Sequence, residues 1–170
     1  TSRAAGWNSI ISLLGNLDHL RNHPRTADNL EVIRRWEEVR LMDFLSEQQK
    51  LNLQDPDQEH ILLINETGNF ELVPYQQLLN VAGEDPDIRA FLFTRNERVW
   101  VVYWHCRGEA AITLPVGPDK IQLFEELGRE LPLEDTEDGT VVPVDDRRYL
   151  AFDLSREEVV RLLREAVVQY

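Results

Sequence analysis

The chain has 170 residues, 42% of them hydrophobic and 29% charged, with a formal net charge of -13; these are the proportions of an ordinary globular protein with room for one good core and a helical appendage. Such a charge excludes nucleic acid and an anionic membrane surface as partners, because both demand a basic footprint, and it reads as a solubility device. No apolar run approaches the ~18 residues of a membrane span, and a single cysteine, Cys106, excludes an internal disulfide and leaves the compartment unfixed.

In chain order, residues 6–20 (GWNSIISLLGNLDHL) place Trp7, Ile10, Ile11, Leu14, Leu17 and Leu20 at helical spacing, which predicts a short helix despite Gly15. Pro24 breaks the chain, and Asp28 can cap a longer helix over residues 29–53. Along it Leu30, Ile33, Trp36, Phe44, Leu45 and Leu51 form the apolar stripe, with a break and restart expected at Ser46-Glu47. A chain opening on Thr1 rather than Met suggests a processed product or a fragment. Residues 1–56 are therefore expected to be a helical segment, either a linker or the remnant of a preceding domain.

Asp55-Pro56-Asp57 changes the texture. Residues 59–65 (EHILLIN) and 69–73 (NFELV) flank a turn at Gly68 and predict a hairpin, and residues 75–81 predict one or two helical turns. After a loop at 82–87 comes a strand at 88–94 (IRAFLFT), turned by Arg95-Asn96-Glu97. The central stretch is residues 98–116 (RVWVVYWHCRGEAAITLPV), two alternating runs about Arg107-Gly108, which read as a hairpin at the middle of a sheet. Further strands are expected at 120–124, 130–133, 140–144 and 148–153, separated by a turn around Gly128, an acidic turn at 135–139 and Asp145-Asp146-Arg147. Ser155 and Glu158 form a capping box for a closing helix to about residue 168, with Val159, Leu162, Leu163, Ala166 and Val167 inward. The expected fold class is α+β: an antiparallel β-sandwich over residues 57–170, with an N-terminal helical segment and a C-terminal helix.

Chemistry-bearing motifs are sparse. His19, His23, His60 and His105 lack metal-site spacing, apart from the i, i+4 relation of His19 and His23, which Pro24 disfavours as one helix, so no metal ligands are assigned. Glu66 and Glu109 fall at turns, the wrong environment for a raised carboxyl pKa. The acidic turn holding Asp135, Glu137 and Asp138 lacks the EF-hand ligand order. There is no Gly-rich phosphate loop and no GxSxG elbow, so no catalytic residue and no cofactor are assigned. Cys106 reads as a small packed residue. Trp100, Val102 and Trp104 should face one side of their strand, and Val101, Tyr103 and His105 the other. Trp100, Tyr103, Trp104 and Trp36 are the candidates for carbohydrate or partner contact; the competing expectation is that the aromatic strand is packed on both faces.

From residue 90 to 153 the order AFLFTR, RVWVVYWHCRGEAAITLPV, KIQLFEELGRELPL, GTVVPV and RRYLAFD resembles the C-terminal antiparallel β-sandwich attached to the catalytic barrels of many bacterial glycoside hydrolases. The resemblance rests on Trp104, Leu114-Pro115, Gly128 and Tyr149-Leu150, and covers about 40% of the chain. It implies a non-catalytic accessory region that packs against a barrel of the same protein and sometimes shapes its cleft. It carries over a role and no catalytic residues, and the long front helix and closing helix depart from it. The alternatives are an interaction module whose helical front binds a partner or a second copy through Trp7, Trp36 and Phe44, a carbohydrate-binding module with an aromatic platform, and an enzyme whose carboxylates the sequence does not reveal.

Overall fold

The computed structural model describes residues 2–83, 85–127 and 129–169, without the side chain of Glu126. The turn position expected at Gly128 lies outside the described residues. The fold is α+β with antiparallel strands in a sandwich-like arrangement, and the chain forms two compact units, residues 1–75 and 76–170. No described helix is long and apolar enough to cross a membrane.

The first unit contains α1 (Ser2–Gly6), α2 (Leu17–Asn22), α3 (Thr26–Leu41), α4 (Glu47–Gln54), β1 (Glu59–Ile64) and the first part of β2 (Phe70–Leu78). The single helix expected over residues 6–20 does not form. Asn8 adopts φ 53, Ser9 N donates to Ala4 O and Asn8 N donates to Ala5 O, which together close α1 with a left-handed residue after its last turn. Residues 9–16 then run without regular structure until Asn16 caps α2 by accepting from Asp18 N at 2.8 Å. The long second helix is also two helices. It stops at Met42, Asp43 turns with φ 49, and Ser46 restarts it through a capping box with Gln49, at the break expected there. The cap of α3 is Arg25, while Asp28 sits in its first turn and pairs with Arg25 at 2.8 Å.

Ala5, Trp36, Val39, Leu45, Leu53 and Leu62 make the core of this unit. Gly6 lets α1 approach α4: a Cβ there would lie 2.8 Å from Leu53 Cβ and 2.9 Å from Lys50 O. Arg3 bridges to Glu59 at 2.8 Å and also donates to Pro56 O, tying α1 to the entry of β1.

The second unit continues with the end of β2 and then β3 (Ile88–Arg95), β4 (Arg98–His105), β5 (Ala110–Leu114), β6 (Ile121–Glu126), β7 (Arg129–Leu131), β8 (Glu134–Thr136), β9 (Gly139–Val144), β10 (Arg148–Phe152), α5 (Arg156–Glu165) and β11 (Val167–Gln169). One sheet runs β3-β4-β10-β6-β7, with residues 76–78 added beside β3; the other runs β11-β5-β9-β8. Leu92, Val101, Tyr103, Leu123 and Leu150 of the first sheet meet Ile112, Leu114, Val142 and Val144 of the second, and α5 adds Val159 and Leu163 to the same core. Burying these faces in one cluster is the main driving force for the unit.

Several expectations are corrected here. β4 and β5 are not a hairpin, because the edge of β4 that β5 would need is taken by β10, in register from Arg148 opposite Tyr103 to Phe152 opposite Val99. β5 pairs instead with β9 and β11 in the other sheet. Residues 75–78 are strand rather than helix, since Gln76 and Leu78 find ladder partners in Leu92 and Ala90, and that pairing overrides local preference. Asp135 belongs to β8 rather than to the acidic turn. The closing helix ends at Glu165, and the β-branched pair Val167-Val168 pairs with β5, leaving Val167 outward.

Candidate functional site

Three places concentrate chemistry: the aromatic strand, the loop corner beside its end, and the front of the helical unit. The alternation expected of β4 is present. Val101 and Tyr103 enter the sandwich core, while Trp100, Val102 and Trp104 line the opposite side of the sheet. Both sides are packed. Trp100 is 5% exposed, stacks with Phe93 at 6.2 Å, leans on Phe124 and donates its indole N–H to Arg95 O at 3.1 Å. Tyr103 and Trp36 are buried in the cores of their units. The rings of Trp36, Trp100 and Tyr103 therefore offer no free face to a sugar or a partner.

Trp104 alone of the four is half-exposed. Phe91 stacks on it from the β3 side, with centroids 5.2 Å apart and planes inclined by 21°, and Arg147, leading into β10 on the other side, puts its guanidinium 4.9 Å from the ring centroid. Because β4 lies between β3 and β10, these two neighbours flank the indole from opposite sides. The arrangement is a three-strand Phe-Trp-Arg ladder whose π-faces are already used, which suits cross-strand stabilisation better than a sugar platform.

At the end of β4, ligand atoms of Asp85, Asp87 and His105 lie within 4.8 Å of one another. No sequence spacing announced this group, because Asp85 and Asp87 come from the loop before β3. The donor set does not fit a cation. His105 Nδ1 accepts from Gly108 N at 2.8 Å and Arg107 N at 3.2 Å, which places the ring proton on Nε2 and leaves neither nitrogen a free lone pair for a metal. The other bonds are those of a loop clamp: Asp87 N donates to Asp85 Oδ1, Cys106 N donates to Asp87 O, and Arg107 pairs with Asp87 at 3.1 Å. Cys106 is half-buried within that clamp.

Inside the sandwich, the Tyr103 hydroxyl has no hydrogen-bond partner among the described residues. Burial, and then the Asp145 carboxylate, push its pKa well above the ordinary phenol value, against the pull of Arg148. Arg148 itself is shared between Asp145 at 3.1 Å and Glu125 at 3.3 Å. His60, in β1, has its pKa lowered by burial. The helix carrying His19 stops before Pro24: His23 caps α2 in extended geometry, its N–H donating to His19 O at 3.0 Å and its Nδ1 accepting from Arg25 N at 3.0 Å.

The front of the helical unit is the most unusual surface. Residues 7–17 contain no charged side chain, yet Trp7 is 67% exposed, Ile10 74%, Leu13 55%, Leu14 101% and Leu17 65%. Ile11 N donates to Glu37 Oε1 at 3.3 Å, holding the stretch to α3. Helical periodicity marked Trp7, Ile10, Ile11, Leu14, Leu17 and Leu20 as one core-facing stripe, and the structure leaves Trp7, Ile10, Leu14 and Leu17 bare, with Leu13 beside them. No family model, curated protein or solved structure matches this chain.

Proposed function

We propose that this chain is a non-catalytic accessory region of a carbohydrate-active enzyme, and that residues 7–17 of its helical unit pack against the catalytic barrel. The observation that carries the reading is the run Trp7, Ile10, Leu13, Leu14 and Leu17, apolar, uncharged and exposed on a chain of net charge -13. An exposed apolar stretch of this kind suits an interface, because each Å² withdrawn from water is worth ~25 cal/mol. The strand sequence of residues 90–153, similar to that of hydrolase-associated sandwiches, supplies the enzyme class. The Phe91–Trp104–Arg147 ladder supports a packing role over sugar stacking, because its ring faces are engaged within the sheet.

The test uses the full-length gene product. With Ile10→Glu and Leu14→Glu together, the catalytic domain is expected to melt at a lower temperature than in the parent protein, with its active site intact. The isolated chain should hydrolyse none of a panel of aryl glycosides. Turnover by the isolated chain, abolished by a single Asp or Glu substitution, would overturn the reading.

A second reading, an interaction module that binds a partner protein or a second copy, draws on the same surface, with Phe44 at 41% exposure as a further anchor. Trp36, 3% exposed, is not an anchor in that reading. Sedimentation equilibrium of the chain and of the same double variant separates the two: concentration-dependent association lost in the variant favours the second.

A further inference from the structure

We infer that Asn65, at the tip of the β1–β2 hairpin, is an acceptor site for N-linked glycosylation, open to modification wherever the chain meets an N-glycosylating transferase. Asn65-Glu66-Thr67 has the Asn-x-Thr order such an acceptor needs, with no proline between. A three-residue match alone arises by chance, and here the geometry adds to it. Asn65 Oδ1 accepts three hydrogen bonds, from Thr67 Oγ1 at 2.8 Å, Thr67 N at 3.1 Å and Asn69 N at 2.9 Å. Thr67 Oγ1 in turn accepts from Asn69 Nδ2 at 2.8 Å, which orients the hydroxyl towards Asn65. Three donors converging on one atom fix which end of the amide is oxygen. They also draw electron density to that oxygen, making the Nδ2 protons more acidic, and they leave Nδ2 uncommitted within the turn. Nδ2 donates to no described residue and is not among the buried unpartnered atoms.

Asn65 is half-buried at the edge of an exposed turn. Residues 66–69 are exposed, Gly68 N donates to Asn65 O at 2.9 Å, and Gly68 takes the left-handed conformation, φ 80, that returns the chain into β2. The co-substrate class is a lipid-linked oligosaccharide diphosphate. Asn65 Nδ2 forms a bond to the anomeric carbon, the bond from that carbon to the phosphate oxygen breaks with its electron pair leaving on the lipid diphosphate, and the amide proton passes to a base on the transferase. No oxidation or reduction takes place. This inference is independent of the accessory-region reading.

The experiment secretes the full chain from a eukaryotic host that N-glycosylates, beside a reporter with an occupied sequon. The expected result is a mass increase that a peptide N-glycan amidase removes, converting Asn65 to aspartate, lost in Asn65→Gln and Thr67→Ala and kept in Thr67→Ser. The decisive variant is Glu66→Pro. Neither Glu66 nor Thr67 has positive φ, and the second position of such a turn accepts proline, so this variant is expected to fold, as its circular dichroism and thermal melt beside those of Thr67→Ala will check, while losing the glycan. A folded, secreted parent chain with bare Asn65 beside a glycosylated reporter overturns the inference. So does a glycan that persists in Glu66→Pro or Thr67→Ala.

Discussion

Gly139 lies against the backbone of Leu114 so closely that a Cβ at position 139 would fall 2.1 Å from the Leu114 carbonyl oxygen. The contact is with backbone and Gly139 also adopts φ 128, so no side chain can be accommodated by a rotamer change. Gly139→Ala is expected to destabilise the chain by about 2–4 kcal/mol, because the start of β9 must part from the end of β5. Urea unfolding checks this; a midpoint equal to that of the parent chain would show that the two strands separate at no cost.

Trp100 and Trp104 share a face of β4 but should respond differently. Trp100→Ala removes a buried indole with an internal hydrogen bond and should cost about 3–5 kcal/mol. Trp104→Ala removes a half-exposed ring from between Phe91 and Arg147 and should cost about 1–2 kcal/mol. Paired thermal melts decide it, and equal losses would mean that the ladder is as important to the fold as the packed ring.

Tyr103→Phe should be neutral or stabilising by up to about 1 kcal/mol at pH 7, since the hydroxyl it deletes is buried without a described partner. The pH dependence has a definite sign. The folded-state pKa is raised above the ordinary 10.0, so the proton is held more tightly by the folded chain. Its contribution to stability is full below pH 10 and falls by about 1.4 kcal/mol per pH unit as the unfolded phenol ionises above that value. Unfolding curves from pH 9 to 11 should show this alkaline loss in the parent chain and a shallower one in Tyr103→Phe.

Ile10→Glu and Leu14→Glu, singly or together, should leave the melting of the isolated chain within about 0.5 kcal/mol of the parent, because both side chains are already in water. A loss of several kcal/mol in differential scanning calorimetry would place these residues inside a core and remove them from any docking surface.

How much of this was legible in the sequence depends on whether a signal was local. Ser46 and Ser155 announce their helices because each cap needs only a residue three positions on, and both capping boxes are formed. Alternation in β4 correctly sorted Trp100 from Tyr103. It could not say that β10 would claim the edge of β4, since that partner is set by packing some fifty residues away, and so the apparent hairpin at 98–116 dissolved into two sheets. The helix expected over residues 6–20 failed for a local reason the periodicity hid: Asn8 takes a left-handed conformation and closes α1. Among candidate contact residues, the aromatic identities were visible and their exposure was not. The Asp85–Asp87–His105 clamp and the Asn65 turn depend on side chains folding back on loops, which hydropathy does not encode.

The place of β10 between β4 and β6 bears on the order of assembly. β3 and β4 are joined by a tight turn and can pair as soon as both exist, and β6 and β7 can do likewise. Neither hairpin touches the other through its own ladder; each waits for β10, emerging some twenty to fifty residues later, to enter as a wedge and zip both at once. The formation of this sheet is therefore gated by a late, non-local step, which favours slow folding. Until it occurs, β4 presents an unpaired edge bearing Val101, Tyr103 and two tryptophans. A nascent chain released before residue 148 should be captured by chaperones or aggregate, whereas one released after residue 152 should be able to close that sheet.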